Sequence, residues 1–365
     1  MNNQKLLGIE LCRGLAAYAV ILVHSGDENW GLATDPSAIS FRLNFYFGVP
    51  FFLAVAFYFL TAKPEIAYSA KFWRSRFDRI VIPYIIWTVI FLILRIIIFA
   101  ASDRTDRLQE LLTDPLSIVF FGGASYHLYF LALLLAGTSL ILLVPLLQKL
   151  KVSNLGLLLL SILSAALYNW LEISGNSFHL GPDVAFKSLL TTWQIDLQAH
   201  PLLRLLLVEI AWLIKCLPYL CVSLLLHQIF KSKKISQQSI KIGSIGLLIA
   251  INIGGQLLLP KSFKEIILAY TLLLVGISIS SYFKHPIVNN IIASVGACSF
   301  GIYLIHPLIM NIVKSLVDKI SPELTNSISI PSMLALSIPC FVISWLSVAI
   351  AKNKLATDRL PGFRL

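Results

Sequence analysis

Apolar residues run through this chain in long, nearly unbroken stretches. Ten of them are long enough to cross a bilayer: approximately 8–26, 43–62, 80–100, 125–148, 154–171, 204–229, 240–259, 264–283, 289–317 and 331–352. About 20 apolar residues in a helix span the hydrocarbon layer, and inside it a helix satisfies its own backbone groups. The pattern therefore predicts an all-α polytopic membrane bundle of about ten transmembrane helices. Pro115–Ala124 is apolar but too short to span, and reads as a re-entrant or interfacial piece. The longest connection runs from Glu172 to Pro201, and its mixed-polarity part, Phe186–His200, suits an interfacial helix. No internal repeat and no appended soluble domain is expected, so the chain reads as one membrane domain over residues 1–365.

Composition agrees with the pattern. Of 365 residues, 57% are hydrophobic and only 13% charged, and the mean hydropathy is +0.82. Those values exclude a soluble domain of this length. The first apolar run lacks a small-x-small cleavage site and carries polar residues, so it is expected to be a retained span rather than a signal peptide. The net charge of +11 would suggest nucleic acid in a soluble protein, but here it sorts by membrane side. With the N-terminus inside, the inner segments hold 18 cations and four acids, and the outer ones ten cations and 14 acids. Both termini are accordingly placed in the cytoplasm, and no nucleic-acid partner is expected. The five cysteines lie in apolar runs without metal-ligand spacing and read as packing residues.

The first span carries the most informative chemistry: Glu10, Arg13 and His24 within an otherwise apolar helix. Ionisable groups in hydrocarbon are costly and mark function by default. At about 100° per residue, His24 returns to within roughly 20° of the face of Arg13, about 16 Å farther along, with Glu10 on the same face. The plainer alternative is that Glu10 and Arg13 neutralise each other and His24 ends the helix in water. Asp27 and Glu28 could orient the imidazole if the helix continued, or lie in a solvated loop.

Two further constellations stand out. Lys71–Arg79, with Arg74, Arg76 and Arg79, lies on the inner side before the third span. It is either a positive-inside anchor with interfacial aromatics or a phosphate site, since guanidinium forks match phosphate oxygens. Arg74 and Arg76 diverge by about 160° on a helix and could converge only in an irregular segment. On the outer side, the topology puts His24, His127 (within Ser125–Phe130) and His306 (within Cys298–Pro307) at one depth, with Tyr126 and Tyr303 nearby. Three histidines at one level favour a polar site opening outward. A zinc site is not predicted, because no close-spaced ligand pair supports it. Glu209, Arg95 and Lys215 are intramembrane charges with no partner assignable from sequence.

Taken together these motifs resemble the acyltransferase-3 family of integral membrane acyltransferases. Glu10-Leu11-Cys12-Arg13-Gly14 followed by His24 is similar to its first-span pattern, and Gly48-Val49-Pro50-Phe51-Phe52-Leu53 to its second. Its Arg-x-Arg element is matched by Arg74 and Arg76, with Arg79, Ile80 and Pro83 continuing the pattern. His127-Leu128-Tyr129-Phe130-Leu131 and Ser299–Pro307 are similar to two more of its stretches. The resemblance covers essentially the whole chain. Two departures occur: Val55-Ala56 replaces the usual Ser-Gly, and Glu10 replaces the usual Asp.

The resemblance implies transfer of a short acyl group, typically acetyl from acetyl-CoA, to a hydroxyl of a glycan or glycolipid. It assigns His24 and Arg13 as essential and Arg74 and Arg76 to the donor side, where the neighbouring Arg79 can assist, in a bacterial cytoplasmic membrane. A mechanism consistent with this has CoA phosphates at the arginines and His24 as general base toward an acceptor arriving from outside. Tyr126, His127, Tyr303 and His306 then serve as acceptor-side or oxyanion groups, and Glu10 is a further substrate-binding candidate beside Arg13 at the inner end. A covalent acyl-histidine is the alternative route. The rival class is a transporter or flippase for a lipid-linked sugar or organic ion, though no inverted halves with paired Gly/Pro breaks are seen.

Overall fold

The structure is a computed structural model, and it describes residues 6–26, 32–102, 114–174, 186–195, 200–231 and 237–357. In chain order the main elements are α1 (Leu7–Ser25), β1 (Ala33–Thr34), α2 (Pro36–Leu43), α3 (Gly48–Thr61), α4 (Ala70–Arg76), α5 (Ile82–Ala101), α6 (Pro115–Phe120), α7 (Tyr129–Thr138), α8 (Leu143–Lys149), α9 (Asn154–Ile173), α10 (Lys187–Thr192), α11 (Pro201–Lys231), α12 (Gln237–Leu258), α13 (Lys261–Ile279), α14 (Pro286–Ile320), β2 (Ser327–Ile328) and α15 (Ile330–Thr357).

Among the described residues, nine helices are long and apolar enough to cross a membrane. The tenth expected span, α12, is a 22-residue helix, within which Lys241–Ile251 forms a shorter apolar run. The chain is a helical integral membrane protein that crosses the bilayer many times. Its lipid-facing surface is plain on α5, where Ile85, Val89, Ile93 and Ile97 form an exposed ridge at four-residue spacing. Most of the expected span 43–62 is α3, which begins at Gly48; a turn at 44–47 joins it to α2, and Pro36–Thr61 together is long and apolar enough to cross. Between Phe186 and His200 the described helix is only Lys187–Thr192.

The chain forms two compact units. The first comprises residues 1–55, 235–259 and 264–365. Its centre is α1 packed on α14 and α15. Small residues let these helices approach. A Cβ at Gly14 would lie 2.5 Å from Val295 Cγ1, and one at Gly296 would lie 2.2 Å from Glu10 Oε2. Ala17, Ile21, Cys298, Ile302, Met310 and Cys340 fill the shared core. At one end, Leu22, Ala38, Ile328 and Met333 form a second cluster. It is closed by the parallel β1–β2 pair and by Asp35, whose carboxylate accepts from Ser37 N at 3.0 Å and caps α2.

The second unit comprises residues 56–234 and 260–263. Here α9 packs along α11, and α7 crosses α11 where a Cβ at Gly137 would lie 2.6 Å from Cys216 Sγ. Trp212, Tyr168, Tyr219, Phe57 and Phe121 are fully buried. Helix α4 continues into α5 through a π-turn at Phe77–Val81, in which Ile82 N–H reaches Phe77 O. The short segment before α7 folds back on itself. Asp114 caps α6 through Ser117 N at 3.1 Å, Gly123 N donates to Ser117 O at 2.8 Å, and Tyr84 Oη accepts from Gly122 N at 2.8 Å. Gly122 has φ +76°, and a Cβ there would lie 2.4 Å from Tyr129 N, so only glycine makes this turn without strain.

Candidate functional site

Helix α1 is continuous, so it holds its polar groups in the order the sequence requires. Near one end, Arg13 Nη1 lies 3.3 Å from both carboxylate oxygens of Glu10. The two side chains are 30% and 23% exposed. The three-residue spacing makes this pair, and the lack of a Cβ at Gly296 leaves room for the Glu10 carboxylate.

His24 lies about 16 Å along the helix from Arg13 and is half-buried. Its ring stacks on that of His306, with centroids 5.6 Å apart and planes 23° apart. His306 is fully buried on α14, and its Nδ1 lies 2.6 Å from the Tyr303 carbonyl oxygen. A carbonyl only accepts, so Nδ1 donates; in neutral His306 the lone pair is then on Nε2. The sequence explains why that carbonyl is available. In an α-helix it would accept from the backbone N–H four residues later, and that residue is Pro307, which has none. Tyr303 is itself buried, its ring 5.9 Å from that of His306.

Neighbouring contacts hold this end of the unit together. Cys340 Sγ bonds the His306 carbonyl at 3.5 Å, joining α15 to α14. Ser25 Oγ donates to Leu22 O at 2.7 Å and Met333 O at 3.1 Å, tying α1 to α15. The Arg42 guanidinium donates to the Gly26 carbonyl. Asp27 and Glu28, considered as partners of His24, lie outside the described residues.

The remaining expected site residues belong to the second unit. His127 is buried, with Nδ1 3.0 Å from Ser125 Oγ. Phe91 meets its ring edge-on at 5.1 Å, and the exposed Tyr126 at 5.6 Å. Of the three histidines, the structure therefore brings His24 and His306 together within one unit, and His127 sits in the other. Arg74 and Arg76 are both in regular helix α4, so they point to different sides. Arg74 and Arg79 are exposed; Arg76 is half-buried, its guanidinium 5.1 Å from the centroid of Phe72. Arg79 lies inside the π-turn, a helix irregularity frequent at functional sites.

Structure also supplies partners that sequence could not. Arg95 Nη1 donates to Gly123 O at 3.3 Å, and Lys215 Nζ lies 5.3 Å from the Tyr168 ring centroid. Arg204, counted in the sequence only as one more outer cation, pairs with Asp114 at 2.7 Å. The His306-Pro307 step is visible in the sequence, but its effect on the Tyr303 carbonyl shows only in the structure. The described cysteines are all free and buried. Among the described residues, no group of three or more His, Cys, Asp or Glu side chains could hold a metal ion.

A family model described as an acyltransferase domain matches residues 6–349. No curated protein and no solved structure matches the chain.

Proposed function

Since the chain belongs to the acyltransferase-3 family and is an integral membrane acyltransferase, we propose that it transfers a short acyl group, acetyl, from cytoplasmic acyl-CoA to a hydroxyl of a glycan or glycolipid on the outer side of a bacterial cytoplasmic membrane. The observation that carries this reading is the half-buried His24 stacked on a buried His306 whose Nδ1 proton is committed to a backbone carbonyl. A histidine held against a fixed neighbour is suited to move a proton at a reacting hydroxyl.

In this reading His24 takes the proton from the acceptor hydroxyl as its oxygen attacks the thioester carbonyl. The resulting tetrahedral species collapses, the carbon–sulfur bond breaks, and the thiolate takes the proton back from the imidazolium. Tyr126, His127, Tyr303 and His306 are assigned to the acceptor side. Arg74, Arg76 and Arg79 place three guanidiniums within six residues; since Arg74 and Arg76 leave α4 on different sides, they serve nucleotide phosphates as a local concentration of positive charge rather than as one converging fork. Arg13 is already bonded to Glu10, so it acts on the donor side through that pair rather than at the reacting carbon.

The test is His24→Ala with two assays in parallel. Acetyl transfer to envelope glycan is expected to fall by about a hundredfold or more, while acyl-CoA binding to the purified protein is retained. Unchanged transfer overturns the assignment, and so does substrate movement across vesicles without acyl consumption.

A further inference from the structure

The second unit contains a buried cation that the proposed reaction does not use. Arg204, in the first turn of α11, is 5% exposed. One part of its guanidinium is engaged: Nη1 lies 2.7 Å from Asp114 Oδ2. The group lies over the Phe121 ring, 5.3 Å from its centroid. Its Nε and Nη2 are buried and have no hydrogen-bond partner among the described residues. Trp212, two turns farther along α11, meets the same Phe121 ring edge-on at 5.8 Å. Its Nε1 is likewise buried and has no acceptor among the described residues.

The chemistry of these groups defines what would bind them. A buried charged donor without an acceptor is costlier than a neutral one, and native interiors rarely leave one. Nε and Nη2 form one edge of the guanidinium fork, spaced to grip two oxygens of a single carboxylate or phosphate. The buried uncommitted groups, Arg204 Nε and Nη2 and Trp212 Nε1, are all donors. A sugar hydroxyl brings a proton that itself needs an acceptor, whereas a carboxylate or phosphate brings only oxygens. The ion pair also reaches the surface, since the Asp114 side chain is 34% exposed. By the distribution of basic residues this end of α11 is the outer one.

We propose that Arg204, assisted by Trp212, binds a carboxylate or phosphate carried by the acceptor, which narrows the acceptor to acidic glycans or phosphate-bearing glycolipids. The identity of the ligand as an acceptor rests on the acyl-transfer reading; the binding itself does not require turnover.

The test uses the full chain in nanodiscs of neutral phosphatidylcholine, titrated calorimetrically with inorganic phosphate, glucuronate and glucose. Arg204→Lys keeps the charge and a partner for Asp114 but removes the fork. Trp212→Phe keeps the ring and removes the N–H. Binding of at least one anion and not of glucose is expected, weakened about tenfold or more in Arg204→Lys and less in Trp212→Phe. It should persist in Arg74→Gln/Arg76→Gln and in His24→Ala. Binding of phosphate alone points to a glycolipid phosphate, and of glucuronate alone to an acidic sugar. Binding of neither anion, equal binding of glucose, or undiminished binding by Arg204→Lys overturns the proposal. If Arg204→Lys does not fold, undiminished binding by Trp212→Phe does the same. Anion binding with no acyl transfer by the wild type leaves this site standing and removes the acyl-transfer reading instead.

Discussion

Two arginine–carboxylate pairs among the described residues, one in each unit, differ in kind. Arg13 and Glu10 are three residues apart on one helix, at 3.3 Å, with both side chains partly exposed. Arg204 and Asp114 lie on separate elements 90 residues apart, at 2.7 Å, with the arginine almost wholly buried. The first pair forms wherever α1 is helical. The second forms only when α11 and the turn before α7 have been brought together. A local pair is thus a property of the helix, and a distant one a property of the packed unit.

That difference can be broken experimentally, and the largest effect is expected at Asp114. Asp114→Asn removes the partner of a buried guanidinium and should cost about 3–5 kcal/mol of stability, read as denaturant-induced unfolding of the detergent-solubilised protein. Loss of less than about 1 kcal/mol would mean that Arg204 draws its stabilisation from elsewhere. An intermediate effect is expected in the first unit from Pro307→Ala. It restores a backbone N–H that competes with His306 for the Tyr303 carbonyl, and the rate of acyl transfer should fall by about tenfold, the worth of one hydrogen bond to a charged or polarised group. Acyl-CoA affinity should hold, and the ¹⁵N shifts of His306 should report a mixture of tautomers. Shifts unchanged from the wild type would show that Pro307 does not set the proton position. The smallest effect is expected from Glu10→Gln, at most about 1 kcal/mol by the same unfolding measurement, because the pair it loosens is partly solvated.

The same contrast explains what could be read without coordinates. Helical spans follow from apolar run length, and a pair such as Glu10–Arg13 from spacing along one helix, so both were legible. The stacking of His24 on His306 was legible at the level of depth, because span direction fixes which end of each helix a residue occupies. Depth does not fix lateral position: the stacked pair, His24 and His306, lies within one unit, and His127 belongs to the other. Asp114 and Arg204 carry no local signal: each is an ordinary polar residue beside a helix start. The turn at 44–47 between α2 and α3 was also hidden, because Phe45, Tyr46 and Phe47 read as a continuation of the apolar helix.

The π-turn at Phe77–Val81 carries its own consequence. One residue beyond the regular helical count offsets α4 against α5 by about 100°. Deleting a single residue there would leave an apolar helix of nearly full length. It would nevertheless swing Arg74 and Arg76 by that angle about the axis relative to the isoleucine ridge. Length and hydropathy would be indifferent to the change, but the azimuth of the guanidiniums would not. One surplus amino acid thus sets the bearing of the basic cluster against the plane of the lipid.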